Sequence, residues 1–171
     1  GKRMNLFDLT GRKAIVTGGT RGLGHGMAEG LMEAGAEVVI FGSSEKVHDV
    51  ATQFCDRGFK CHGIAVDLGD SQARADAFAE AVSVMGGLDI LVNCAGIQRR
   101  HKSEEFPLSD WEAVMNVNLT APFELCQMAA REFMAKEKTG KIINISSMLA
   151  FFGGFTVPAY AASKGAVTQM T

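Results

Sequence analysis

Five short apolar runs recur along the chain, most of them rich in β-branched residues: Lys13–Thr17 (KAIVT), Glu37–Phe41 (EVVIF), Lys60–Val66 (KCHGIAV), Leu88–Asn93 (LDILVN) and Lys141–Ser146 (KIINIS). They show little apolar–polar alternation, which is the pattern of strands covered on both faces. Between them the period lengthens. Leu23, Met27 and Leu31 stand at i, i+4 and i+8, one stripe of a helix that Gly35 is placed to end. Lys46–Arg57 and Ser71–Met85 predict two more helices. Strands and helices in alternation build right-handed βαβ units, so the expected fold class is α/β with a parallel sheet.

From Leu108 to Gly140 the pattern predicts two helices in succession. Ser109 with Glu112 three residues on has the form of a capping box for the first. Thr120 followed by Pro122 predicts a second start, because proline is tolerated only in a helix's first turn. Asn118 then falls at the break.

At 171 residues the expectation is a single domain, and 47% hydrophobic with 21% charged residues is an ordinary globular balance. The formal charge of −2 excludes a chain built to coat nucleic acid. No apolar run approaches the roughly 20 residues of a membrane span, so no membrane partner is expected. The opening GKRMNLFDLT has no apolar signal core, and Met4 reads as a natural start. Cys55, Cys61, Cys94 and Cys126 form no CxxC pair and the four histidines are scattered. That predicts reduced thiols in a cytoplasmic protein and no metal site.

The chemistry begins where the first strand ends. Thr17-Gly18-Gly19-Thr20-Arg21-Gly22-Leu23-Gly24 leads into the first helix, with Gly18, Gly22 and Gly24 in a G-x-x-x-G-x-G spacing. Glycines there allow positive φ and let backbone approach a pyrophosphate, while the helix N-terminus offers N–H groups and a positive dipole to the anion. Tight strand-to-helix turns also use glycine for structure alone. The strand before and the amphipathic helix after favour dinucleotide binding. After the second strand, Phe41-Gly42-Ser43-Ser44 lacks the acid that would hold a ribose 2′-hydroxyl and repel a 2′-phosphate. Arg21 is either a partner for that phosphate or a solvated loop cation, and both NAD and NADP remain open as cofactor. Asp67-Leu68 follows the third strand, at the sheet edge where ligands of such folds bind. Asp67 can accept a bond from the adenine amino group or cap the next helix, a job for which Asp70 competes.

Tyr160, the one tyrosine of the sequence, precedes Lys164 by four, so a helix after Pro158 places them on one face. A free tyrosine ionises at about pH 10; a neighbouring cation favours the phenolate and brings it toward the useful range for acid–base work. Ser146 and Ser147 end the preceding strand, and a hydroxyl there can hydrogen-bond the reacting oxygen of a substrate.

In this order, TGGTRGLG, NCAG (Asn93–Gly96), VNL (Val117–Leu119), INISS (Ile143–Ser147) and YAASK (Tyr160–Lys164) resemble the motifs of the short-chain dehydrogenase/reductase family across nearly the whole chain. The resemblance implies a Rossmann-type doubly wound parallel sheet binding NAD or NADP. It implies Tyr160 as general acid/base and Lys164 as ribose ligand and depressor of the tyrosine pKa. Ser147, chosen over Ser146 by its interval to the tyrosine, would orient the substrate oxygen. Asn118 would hold a water of the proton relay, beside its other reading as a cap at the helix break. Cofactor contacts are expected from Gly18, Thr20, Arg21, Gly22, Leu23, Gly24, Ser43, Asp67, Leu68, Asn93, Ala95 and Gly96, with Tyr160 and Lys164.

Two departures matter. Cys94 stands where family members usually carry a second asparagine, in a motif that mostly braces the sheet. The family also runs to about 250 residues in one domain, whereas this sequence stops at Thr171 within the expected tyrosine helix. The expectation is therefore a domain truncated at its C-terminus, with the last strands missing and a sheet edge uncovered.

Arg99 and Arg100 follow the fourth strand in a generally polar loop that spacing alone reads as solvated. NCAGIQRR, SDWEAVMNVNL and KIINISSMLAFFGG…VPAYAASKGAV resemble the gluconate and deoxygluconate dehydrogenases of the family, which turns the expectation to a sugar acid. Arg100 then becomes the candidate for its carboxylate, with Ser147 and Tyr160 at the reacting oxygen. Met148, Leu149, Phe151, Phe152 and Phe155 are equally readable as pocket wall or as packing. The rivals are a reductase of carrier-bound 3-oxoacyl groups and a dinucleotide-binding regulator without turnover. The resemblance further implies a homotetramer packed through the two long helices.

Overall fold

The computed structural model describes residues 8–97 and 103–145. Five strands form where the apolar runs place them: β1 Lys13–Thr17, β2 Glu37–Gly42, β3 Cys61–Ala65, β4 Ile90–Asn93 and β5 Lys141–Asn144. All pair in parallel, in the order β3-β2-β1-β4-β5. The chain steps outward from β1 to β3, then returns to β4 on the other side of β1. That reversal opens a crevice at the carboxyl ends of β1 and β4, the place where an open α/β sheet takes its ligands.

The helices are α1 Gly22–Glu33, α2 Lys46–Asp56, α3 Ser71–Met85, α4 Leu108–Met115 and α5 Ala121–Ala135. Successive side chains of a strand point to opposite faces, and both faces are apolar. Ile15, Val39, Phe41 and Leu91 pack with Phe78 and Ala81 of α3 and Leu125 and Ala129 of α5. Ala14, Val16, Val38, Ile40 and Val92 pack with Ala28 and Met32 of α1 and Val47 and Phe54 of α2. Complete burial of each large aliphatic side chain favours the fold by about 1.5–3 kcal/mol. The doubly wound arrangement is as expected. β5 lies at one edge of this sheet and stays only half-buried. No helix among the described residues is long and apolar enough to cross a membrane.

Three local expectations are corrected. In α1 the buried line is Gly24, Ala28 and Met32, one position on from the stripe read from the sequence, while Leu23 is 61% exposed. Close approach to the sheet decides it: the smallest residues face inward because a larger one at position 24 would strike the Gly18 carbonyl. In α4 the helix begins at Leu108, with Pro107 extended at the cap position and no side-chain cap bond. Ser109 therefore lies inside the first turn, and the capping box does not form. Nor does the chain break before α5. A π turn over Asn116–Thr120 carries α4 into α5, and Thr120 is itself helical in backbone. Pro122 lacks an N–H and crowds the carbonyl four residues back, and a widened turn is how a continuous helix absorbs that.

α3 behaves as read. Asp70 Oδ1 accepts the N–H groups of Gln72 and Ala73, each at 3.0 Å. Below it, at the amino end of the sheet, Asp89 gathers the Lys138 ammonium at 2.9 Å, the Lys13 N–H at 2.9 Å and the Arg12 guanidinium at 3.8 Å. Burial raises the Asp89 carboxyl, but these three partners together outweigh it and hold the group below its ordinary value.

Candidate active site

The crevice at the carboxyl ends of the strands is a cleft of about 470 Å³. Its floor is the turn between β1 and α1. Gly18 adopts φ +64° and lies so near the next strand's exit that a Cβ would stand 2.9 Å from the Ala95 Cα. Thr17, buried at the end of β1, turns its hydroxyl oxygen to the same segment and accepts the N–H groups of Cys94 at 2.8 Å and Ala95 at 2.9 Å. These contacts hold the β1 and β4 exits together. α1 starts without a side-chain cap and without an acid in its first turn. Its first N–H groups and its positive end thus face the crevice uncompensated, which is what a pyrophosphate requires. A cradle that side chains would fill, at an uncapped helix N-terminus, fits a dinucleotide.

Of the described residues expected to contact a cofactor, the structure brings all but one to this cleft. Gly18, Thr20, Arg21, Gly22, Leu23 and Gly24 line one wall; Ser43, Asp67 and Leu68 line the β2–β3 side; Ala95 and Gly96 close the β4 side. Asp67 is exposed and Asp70 takes the helix cap, so the competition between them is resolved. Asn93 is the exception. It lies on the same strand face as Leu91, toward α5, where its Nδ2 donates to Asn144 Oδ1 at 2.7 Å and to Cys126 Sγ at 3.4 Å. Its side chain braces β4 to β5 and is absent from the cleft wall. Burial raises the Cys126 thiol there, against the lowering effect of the two asparagines. On the sheet's other side Cys61, buried and beside Cys55, is pushed up to about 12.

Asn118 sits in the π turn, 1% exposed. Its Oδ1 accepts the Ile97 N–H at 2.8 Å and its Nδ2 donates to the Ile97 carbonyl at 2.9 Å. It caps no helix; it ties the loop after β4 to the α4–α5 junction. The sequence pattern does not mark Thr17 as a site residue, nor the cleft residues Phe41, Gly42, Val66, Cys94, Ile97 and Val117. Most of them stand at or just beyond the carboxyl ends of strands, which is the one sequence signal they offer. Arg100, Ser147, Tyr160 and Lys164 lie outside the described residues, as do Ser146, Arg99 and the phenylalanines after Met148.

Comparison with known proteins agrees with this architecture. The family model for short chain dehydrogenases matches residues 12–171. The 2-dehydro-3-deoxy-D-gluconate 5-dehydrogenase of Dickeya dadantii is 42% identical over 171 residues, covering 98% of this chain and 66% of its own. The gluconate 5-dehydrogenase of Gluconobacter oxydans is 39% identical, covering 98% and 65%. The 3-oxoacyl-[acyl-carrier-protein] reductase of Aquifex aeolicus is also 39% identical, covering 96% and 67%. Among solved structures, a gluconate 5-dehydrogenase from Burkholderia cenocepacia in complex with NADP and tartrate superposes with a TM-score of 0.88 at 42% identity, covering 98% of this chain and 66% of that one. The chain thus spans about two thirds of the length of the curated relatives it matches. With a model match over almost all of its length and the doubly wound sheet that the motifs imply, the protein belongs to the short-chain dehydrogenase family.

Proposed function

We propose that the protein is an NAD(P)-dependent oxidoreductase that interconverts a secondary alcohol and a ketone, acting on a sugar acid of the gluconate or deoxygluconate type. The observation that carries this reading is the convergence of the glycine turn, Ser43, Asp67 and the Ala95–Gly96 exit on one cleft at the sheet's switch point. The relatives named above supply the substrate class. Bound in that cleft, the dinucleotide supplies or takes up a hydride. The first turn of α1 would hold its pyrophosphate, and Asp67 would accept a hydrogen bond from the adenine amino group. Asn118 fixes the Ile97 backbone, three residues before Arg100, the candidate partner of the substrate carboxylate.

Tyr160 moves the proton. In the oxidative direction the substrate carbon gives up its hydride while the phenolate of Tyr160 takes the hydroxyl proton, leaving a ketone. Ser147 donates to the reacting oxygen, and the Lys164 charge keeps the phenolate accessible near neutral pH. The protein works as a homo-oligomer in the cytoplasm. A reductase of carrier-bound 3-oxoacyl groups is the second reading, favoured by the Aquifex relative.

A panel of sugar acids and a 3-oxoacyl thioester, each with NAD and NADP forms and followed by nicotinamide absorbance, tests cofactor and substrate together. Turnover is expected with the sugar acids. Tyr160→Phe should lower kcat by about 10²–10⁴-fold, the usual contribution of a placed acid–base group. Equal rates in the two proteins would refute the mechanism.

A further inference from the structure

Arg74 is the largest fully buried side chain among the described residues, and the mechanism above does not use it. It stands in the first turns of α3 and is 2% exposed. Its Nη1 donates to the Leu68 carbonyl at 2.6 Å, its Nη2 meets Glu124 Oε2 of α5 at 2.7 Å, and its Nε has no partner. The peptide unit it grips is held at the other end too: the Gly69 N–H donates to Asp67 Oδ1 at 2.9 Å. One rigid peptide plane therefore links a buried guanidinium to the Asp67 carboxylate in the cleft wall. The next turn closes the arrangement, with the Asp70 N–H donating to the Asp67 carbonyl at 3.1 Å.

Stability alone accounts poorly for this residue. An apolar side chain of similar volume commonly replaces a buried ion pair without loss, and here one N–H is left unsatisfied as well. Its partner Glu124 keeps 41% of its own exposure. What no apolar residue supplies is a donor that draws the Leu68 carbonyl into the interior, and so fixes the plane whose far N–H orients Asp67. We propose that Arg74 is a positioning residue for recognition of the adenine half of the dinucleotide, acting through the Leu68–Gly69 peptide on the Asp67 carboxylate. The proposal rests on the dinucleotide reading of the cleft and adds to it the group that sets its base selectivity.

The test compares Arg74→Met, Arg74→Lys and Glu124→Gln with the unchanged protein. Calorimetry measures binding of the reduced dinucleotide and of its hypoxanthine analogue, whose base has oxygen in place of the amino group. Each titration is run well below that variant's own Tm. The unchanged protein should prefer adenine by about tenfold, the effect of one charge-assisted hydrogen bond. Arg74→Met should lose most of that preference by weakening the adenine form. Glu124→Gln removes the same ion pair but leaves the Leu68 bond, so its Tm falls while its preference stays within about twofold of the unchanged protein. Arg74→Lys keeps one donor and should recover part of the preference; it carries the test alone if the methionine variant does not fold. Full preference in Arg74→Met, or in its absence no reduction in Arg74→Lys, overturns the proposal, as does equal loss in Glu124→Gln or no preference in the unchanged protein. Failure of the unchanged protein to bind either dinucleotide would instead strike the functional reading beneath it.

Discussion

The two ends of this sheet are made of the same strands yet behave as opposites. At the amino end charge is matched to charge: Asp89 collects Lys138, the Lys13 N–H and Arg12, so little bonding capacity is left over. At the carboxyl end glycine and backbone share the cleft walls with Arg21, Ser43 and Asp67, and the first turn of α1 has no cap or acid to balance it. Thr17 and Asn118 are polar there, but both are spent on the backbone of Cys94, Ala95 and Ile97, shaping the cleft from beneath. One end satisfies its polar groups and holds the fold; the other withholds satisfaction until an anion arrives.

If that division is real, damage at the two ends should read out differently. The largest effect is expected from Gly24→Val, whose side chain would collide with the Gly18 carbonyl. Overpacking against backbone costs about 3 kcal/mol, and dinucleotide affinity measured by titration should fall by about 10- to 100-fold. Undiminished binding would show that the turn tolerates side chains and is no cradle.

A smaller effect, of the other kind, is expected from Asp89→Asn. Chemical denaturation near neutral pH should show a loss of about 1–3 kcal/mol, with kcat per folded molecule unchanged. The sign with pH follows from the lowered carboxyl. A carboxylate held below its unfolded value stabilises the fold above that value, and loses its contribution as pH falls through the folded one. The gap between the two proteins should thus be full above about pH 5 and close as the pH drops below about 4. A gap independent of pH would remove the charge network from the explanation. The smallest effect is expected from Arg21→Ala. An exposed cation facing a 2′-phosphate contributes about 1 kcal/mol or less, so NADP affinity should fall a few-fold, less so in high salt, and NAD affinity should not change. An equal change for both cofactors would return Arg21 to the solvent.

Much of the cleft's lining is legible in the sequence, and the local differences from the sequence pattern come from packing. The glycine turn was recognisable because positive φ and close approach restrict composition locally, between a strand and a helix. Asp70 was recognisable as a competitor of Asp67 for the α3 cap because a short carboxylate there can accept the first free N–H groups of the helix. The inward face of α1 was misassigned by one position, because apolar spacing finds a helix but not how near it must come to the sheet. Ser109 had the right spacing for a capping box, and the extended Pro107 simply started the helix two residues early. The side chain of Asn93, by contrast, is aimed by strand alternation at Asn144 and Cys126, which leaves only its backbone for the cofactor contact its motif suggests.

Strand runs, helix periods, the glycine turn and the order of the motifs were properties of the chain alone, since each follows from interactions among near neighbours in sequence. The π turn that seats Asn118 beneath Ile97, the pinning of the β4 exit by Thr17, and the grip of Arg74 on Leu68 were decided by tertiary structure. The first and second join residues 21 and 77 or 78 positions apart; the third is local in sequence, but its guanidinium is buried and also meets Glu124 of α5. Where a hydrogen bond's worth depends on what excludes water from it, a spacing in the sequence cannot reveal it.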